Sequence, residues 1–524
     1  MLSLKSSPFS TLSHINSPSP TCAHNINGGC YFKSMGMRFK SGIPNNDDHN
    51  ILRLLPPLPR RSKSNREMKA SATATTTQLQ SMTTMLTTLE EEQSLKGYDY
   101  PADAHGHGQQ HNDNIADTKK RTSLSEVWRE VQGSSNWEGM LDPMNNLLRS
   151  ELIKYGEFAQ ACYDAFDFDP YSSNCGGCKY NRRTMFKDLG LSHSGYHVTK
   201  HLYATSNIHL PNFFKKSRIG DKLWSNHANW MGFVAVAEDE QEIKRLGRRD
   251  IVIAWRGTVT SLEWMADLMD FLKPAGFHCD HPDPRVKVES GFLDLYTARE
   301  KKCRFAKSSA QEQIHAEIKR LVEKYKGEEL SITVTGHSLG SALAMLSAYD
   351  IAEMGVHNGV PITVFSFAGP RVGNSAFKDR LEELGVKILR IVNTHDGVPK
   401  VPGILFNEHC HFVREWIDKL PWSYTHVGVE LELDHTKSPF LRPTSDPSCF
   451  HNLEAHLHLL DGYHGREQRF YLANGRDPAL VNKACDFLQD HLHIPPFWRQ
   501  DHNKGMAQNA EGRWVRPQRP QYVD

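Results

Sequence analysis

No stretch of the 524 residues comes near the roughly 18 consecutive apolar side chains that a membrane-spanning helix needs, so any membrane contact is peripheral. Net charge is missing as well. Lys and Arg number 62 against 61 Asp and Glu, a balance of +1, and the central part of the chain holds no dense basic cluster. That argues against nucleic acid as the main partner. Cysteine forms no pattern: ten are scattered, and Cys175-Gly176-Gly177-Cys178 is a C-x-x-C without the second pair that a zinc site would use. These read as loop cysteines of a reduced protein, and neither metal nor organic cofactor is expected. Acids are scarce at the start. Residues 1–66 carry nine Lys and Arg against only Asp47 and Asp48, are rich in Ser and Pro, and show no sustained apolar segment after Met1. That bias suits an organelle transit peptide rather than a secretory signal. Residues 67–120 read as a low-complexity linker, rich in Thr and Ser from Ala70 to Thr88, whose histidines (His105, His107, His111) sit in a solvated polar tract. A folded domain is expected over residues 121–515, with 516–524 as a tail.

What is present starts with Gly336-His337-Ser338-Leu339-Gly340. An apolar, β-branched run (Leu330 to Thr335) precedes this G-x-S-x-G, and a small-residue helical stretch (Ser341 to Leu346) follows it. The context predicts a nucleophile elbow, a strained strand-to-helix turn that presents Ser338. The helix behind it offers unpaired N–H groups and a positive dipole end to a developing oxyanion. Downstream, a second strand-like run (Lys387 to Val392) ends in Asn393-Thr394-His395-Asp396-Gly397. A carboxylate past the carboxyl end of a parallel strand is where open α/β sheets build their sites, so Asp396 is the candidate acid, with Asp434 and Asp446 next. The chain order Ser, Asp, His is the one this fold class uses. The histidine stays open on spacing. His451 is preferred because it opens what reads as an amphipathic helix, with His456 and then His426 as alternatives.

Strand patterns at Asn229–Val236 and Ile251–Trp255, the latter nearly all apolar, suit a buried parallel sheet. Ser309 and Glu312 have capping-box spacing, and Ile314, Ile318, Leu321, Val322 and Tyr325 then mark one face of a helix. Strands alternating with helices predict an α/β fold with a mostly parallel sheet.

The strand ending in Arg256-Gly257-Thr258, the apolar segment after it, Phe367-Ala368-Gly369-Pro370-Arg371-Val372-Gly373-Asn374, and Asp396 within Asp-Gly-Val-Pro resemble the class 3 lipases. Longer motifs are similar to a plant branch of that family, the chloroplast-targeted phospholipase A1-type acylhydrolases (type I gamma-like). Among them are Gln160-Ala161-Cys162-Tyr163-Asp164-Ala165-Phe166, Leu459-Leu460-Asp461-Gly462-Tyr463-His464 and Trp498-Arg499-Gln500-Asp501. The resemblance implies an α/β-hydrolase with an N-terminal helical segment and a lid over Leu262, Trp264, Met265 and Leu268. It implies Ser338 as nucleophile, Asp396 as acid, His451 as base, and the Thr258 and Leu339 N–H groups as the oxyanion hole. The expected activity is hydrolysis of fatty acyl esters of glycerolipids (phosphatidylcholine or galactolipids, at sn-1) at a membrane surface in the chloroplast, with a role in lipid catabolism or release of oxylipin precursors. A triacylglycerol lipase and a catalytically silent lipase-like scaffold are the alternatives. Two positions depart from the common pattern. Ser341 follows the elbow where glycine is usual, and Glu289 stands where fungal members carry a histidine two residues before Gly-Phe.

Overall fold

The computed structural model describes residues 122–169, 172, 174–205, 228–258, 272–277, 282–301, 303, 305–402, 423–499, 507–508, 510 and 514–515. The transit and linker segments and the lid candidates Leu262, Trp264, Met265 and Leu268 lie outside the described residues.

The run that reads as a buried strand is one. Strands β1 (Tyr196–Ala204), β2 (Asn229–Ala237) and β3 (Arg249–Trp255) come first in the chain, then a short pair, β4 (Leu272–Pro274) and β5 (Lys287–Glu289). The strands β6 (Leu330–His337), β7 (Ile362–Phe367), β8 (Lys387–Asn393) and β9 (Val429–Leu433) follow. Seven of them form one sheet in the order β1-β2-β3-β6-β7-β8-β9. From β3 onward all neighbours are parallel, and β1 and β2 are added antiparallel.

Helices cover both faces, as a parallel sheet demands. The main ones are α1 (Leu124–Val131), α2 (Asn146–Ala165), α3 (Ala310–Lys324), α4 (Leu339–Glu353) and α5 (Leu453–Gly462). The period-two alternation of β3 divides the core between the two faces. Ile251, Ile253 and Trp255 join Ile332 and Val334 of β6 under α3 and α4. Val252 and Ala254 face the other way, with Phe365 and Phe367 of β7, under α2 and α5. The α3 start is the capping box expected: Ser309 N donates to Glu312 Oε2 at 2.9 Å, and Glu312 N donates to Ser309 Oγ at 3.1 Å.

A fully buried carboxylate fixes α2 to the sheet at its amino-terminal end. Asp250 Oδ2 accepts the hydroxyls of Tyr155 (2.8 Å) and Tyr196 (2.9 Å), and Oδ1 accepts those of Ser331 and Thr333, both at 2.7 Å. Four donors offset the desolvation that would otherwise expel the charge. The loop through Cys175 and Cys178 is unbridged, and the Gly176 carbonyl accepts Trp230 N at 2.8 Å.

One expectation is corrected. Helix α5 is not amphipathic at a surface; all ten of its residues are buried. Its polar residues are satisfied inside: His458 Nε2 lies 2.8 Å from Ser438 Oγ, Asp461 accepts Asn474 N and Arg476 N, and Glu454 pairs with Arg476 at 2.7 Å.

Candidate active site

Ser338 sits between the last residue of β6 and the first of α4, at φ 59° and ψ −128°. A side-chain-bearing residue held at positive φ costs on the order of 1–3 kcal/mol, and the surroundings enforce it. Ser338 N donates to the Phe367 carbonyl at 3.0 Å, and Ser341 N donates to the Ser338 carbonyl at 2.9 Å. Glycines make the turn possible. A Cβ on Gly336 would lie 2.3 Å from the Gly340 carbonyl, and one on Gly257 would lie 2.6 Å from the His337 carbonyl and 3.2 Å from Ser338 Cβ. The exit of β3 therefore rests directly on the elbow, with half-buried Thr258 next in the chain. Leu339 is the first residue of α4, so its N–H has no intrahelical acceptor. The buried Ser338 Oγ has no hydrogen-bond partner.

Asp396 lies in the turn after β8, 1% exposed. Its Oδ1 accepts Val398 N at 2.9 Å, and its Oδ2 accepts Nδ1–H of His451 at 2.7 Å. With Nδ1 donating, Nε2 is the basic nitrogen of His451. His451 lies in the turn between the short helix Pro447–Phe450 and α5, immediately ahead of the Asn452 cap of the helix it is expected to open. Its backbone is pinned on both sides. The Phe450 carbonyl accepts Asn393 Nδ2 at 3.1 Å, and the His451 carbonyl accepts His337 Nε2 at 2.8 Å.

His337 thereby becomes more than the variable position of the motif. Its Nε2 must carry the proton to reach a carbonyl, so Nδ1 accepts, and the Tyr163 hydroxyl donates to it at 2.7 Å. Burial, reinforced by His451 and His456, holds the His337 pKa well below the usual imidazole range and keeps the ring neutral. A chain of contacts thus runs from α2 through the elbow to the histidine turn. The β3 exit is fastened separately. Buried Arg256 donates to the carbonyls of Trp230 (3.1 Å) and Gly257 (2.8 Å), its cation lies 3.8 Å from the Phe166 ring centre, and burial pushes its pKa down to about 10. Tyr163, Asn393 and Arg256 stand within motifs of the sequence, but no local pattern signals these contacts.

The alternatives make other contacts. His456 is fully buried, bonds the Asn452 carbonyl through Nδ1 at 2.9 Å, and brings Nε2 to 3.8 Å from Asp396 Oδ2, behind His451. His426 lies in the segment entering β9. Asp434 and Asp446 cap short helices, accepting Thr436 N (2.9 Å) and Ser448 N (2.8 Å). Both departures from the family pattern have structural uses. Ser341 Oγ donates to the Gly336 carbonyl at 2.6 Å, stitching the elbow, and Glu289 caps the helix Ser290–Thr297 by accepting Gly291 N and Phe292 N. Among the described residues, one trio of metal-type donors comes together, His395, Asp434 and His435, with donor atoms within 4.8 Å of one another.

Three buried imidazoles around the site make stability depend on pH. Burial lowers the pKa values of His337 and His456, and that of His458 to about 4 with help from Arg476. Such groups bind protons more readily when unfolded, so the stability they support is complete above the ordinary histidine value and is lost as pH falls from about 6.5 toward 4. His458 alone contributes up to roughly 3 kcal/mol of this loss. Thermal melting followed across that range should show a falling midpoint; a midpoint constant down to pH 4 would contradict the neutral assignment.

Comparison with known proteins agrees with this arrangement. The family described as lipase (class 3) matches residues 252–406. Phospholipase A1-Igamma1, chloroplastic, of Arabidopsis thaliana is 61% identical over 416 residues, covering 77% of this chain and 80% of that protein. Phospholipase A1-Igamma3, chloroplastic, from the same plant is 61% identical over 415 residues, covering 76% and 78%. Galactolipase DONGLE, chloroplastic, also of Arabidopsis thaliana, is 49% identical over 347 residues, covering 64% and 70%. With an elbow serine, a buried carboxylate–imidazole pair and relatives of this identity over most of their length, the chain belongs to the class 3 lipase family, in its plant phospholipase A1 branch.

Proposed function

We propose that the chain is a plastid serine acylhydrolase that releases fatty acid from the sn-1 position of polar glycerolipids, phosphatidylcholine or galactolipid. The observation that carries the reading is a strained serine at a helix N-terminus, at the same sheet end as a histidine whose Nδ1 is bonded to a buried carboxylate. In this reading His451 Nε2 takes the Ser338 proton as Oγ adds to the ester carbonyl. The Leu339 and Thr258 N–H groups hold the resulting oxyanion, and Asp396 stabilises the imidazolium. The imidazolium then protonates the departing lysolipid oxygen as the C–O bond breaks, leaving an acyl-serine. A water, deprotonated by His451, adds to that acyl group and the Ser338 oxygen leaves with the proton. The names of the relatives, phospholipase A1 and galactolipase, support the substrate class. Their chloroplastic designation agrees with residues 1–66 as a transit segment, ahead of a linker to about residue 120 and the hydrolase domain to 515.

Mass spectrometry of products from vesicles containing phosphatidylcholine, monogalactosyl diacylglycerol or triacylglycerol tests the proposal. Lysolipids that retain the sn-2 chain are expected from one or both polar lipids. Release from triacylglycerol alone would make the chain a neutral lipase, and release from none would leave a silent scaffold.

A further inference from the structure

Charge is balanced over the whole chain but not beside β1, the edge strand of the sheet among the described residues. Beside the edge strand β1 lies a cavity of about 590 Å³ whose walls include four cations, Arg182, Lys200, Lys307 and Arg320, and one carboxylate, Glu317. That carboxylate is already engaged: Arg320 donates Nη2 to Oε1 at 2.6 Å and Nε to Oε2 at 2.9 Å. Arg182 donates to the Thr199 carbonyl, which directs its guanidinium along the strand edge. The remaining positive charge converges on a concave space rather than spreading over a convex face, the arrangement in which low-dielectric walls concentrate a field.

The sheet topology says where this cavity faces. β1 and β3 are both antiparallel to β2 and so run in the same direction. Leu202 is level with Gly232, and Gly232 with Trp255, three residues before Thr258. Helix α3 leads into the amino end of β6, so its first residues and the Phe305–Ser308 loop before it stand at the carboxyl end of the sheet. The part of the lining at Tyr203, Phe305 and Lys307 is therefore at the same end of the sheet as Ser338, while Lys200, level with Val234 and Ile253, lies midway along it. Phe305 is 44% exposed and stacks on Tyr203 with ring centres 4.8 Å apart. An exposed aromatic beside lysines is a combination suited to the boundary between lipid headgroups and acyl chains.

We propose that this cavity binds the phosphate of an anionic glycerolipid lying next to the substrate, and so turns the Ser338 end of the sheet toward the lipid surface. The proposal rests on the acylhydrolase reading for its biological sense, but binding is measured apart from turnover. Cations close to a negatively charged surface each strengthen attachment several-fold, and an acidic lipid in the cavity adds an oriented contact that a neutral one lacks.

The experiment uses the full chain carrying Ser338→Ala, so that the vesicles are not consumed, and measures sedimentation with phosphatidylcholine vesicles, neutral or doped with phosphatidic acid. Partition onto doped vesicles should exceed that onto neutral ones by on the order of tenfold. The double change Lys200→Glu with Lys307→Glu should remove that excess, Lys200→Gln with Lys307→Gln should remove part of it, and raised salt should weaken it in the parent. With Ser338 restored, the Glu double variant should keep its rate on a short, water-soluble ester, which shows that the fold survives. Equal partition of parent and variant would overturn the proposal. So would titration showing tight inorganic phosphate binding by the parent with no preference for doped vesicles, since the cavity would then serve free phosphate. Loss of all ester hydrolysis by the unaltered chain would sink the acylhydrolase reading while leaving vesicle binding to be scored on its own.

Discussion

Ser338→Ala is expected to slow fatty-acid release from phosphatidylcholine vesicles by at least a thousandfold, roughly, with no loss of folding stability. The two halves of the result have separate causes. Turnover falls because the attacking oxygen is gone and no neighbouring group can replace it. Stability holds because that oxygen has no hydrogen-bond partner in the folded protein, so its removal orphans nothing. The backbone contacts that impose the elbow, Ser338 N to the Phe367 carbonyl and Ser341 N to the Ser338 carbonyl, do not involve the side chain. Labelled-lipid release and a melting curve on the same preparations decide it. Comparable rates for parent and variant would eliminate the acyl-serine route.

The second large effect is expected across the histidines. His451→Ala should leave almost no activity, and Asp396→Asn should lower kcat by several orders of magnitude, about ten-thousandfold where the tautomer partner of a catalytic histidine is altered in this way. Asn at 396 can offer its amide to Nδ1 and so favours the tautomer with its proton on the wrong nitrogen. His456→Ala should behave differently. It empties a fully buried site beside Asp396 and should lower the melting midpoint, while retaining substantial turnover because Asp396 Oδ2 still faces His451 at 2.7 Å. His426→Ala should retain activity too. Kinetics and melting on the four variants separate these roles, and an inactive His456→Ala beside an active His451→Ala would transfer the base to α5.

Much of this arrangement is legible in local sequence. The apolar run Ile251–Trp255 of β3, the strand–glycine–serine–glycine–helix passage and the Ser309–Glu312 cap are short-range patterns, and each folds as its pattern implies. Asp396 is legible because a strand end and chain order agree. The histidine is less so, since His451 is held beside Asp396 not through any periodicity but by hydrogen bonds from Asn393 and His337, more than fifty residues away in sequence, to the Phe450 and His451 carbonyls. Helix α5 misleads for a related reason. Its polar positions look like a solvated face until Ser438, Asn474 and Arg476 supply partners from other segments. The cavity at β1 has no local signature at all, because its cations come from a loop, a strand, a second loop and a helix that only the fold brings together.

The linkage from Tyr163 through His337 to the His451 carbonyl has a consequence for when the chain is able to act. Its members are spread from residue 163 to residue 451, and its origin is clasped by the far end of the chain: Lys483 pairs with Asp164 at 2.6 Å, and Arg499 donates to the Tyr163 carbonyl. On the proposed mechanism, a polypeptide whose carboxyl-terminal segments have not yet folded lacks its base in working position. Ester hydrolysis is therefore expected to begin only after the last of these segments has closed over the first.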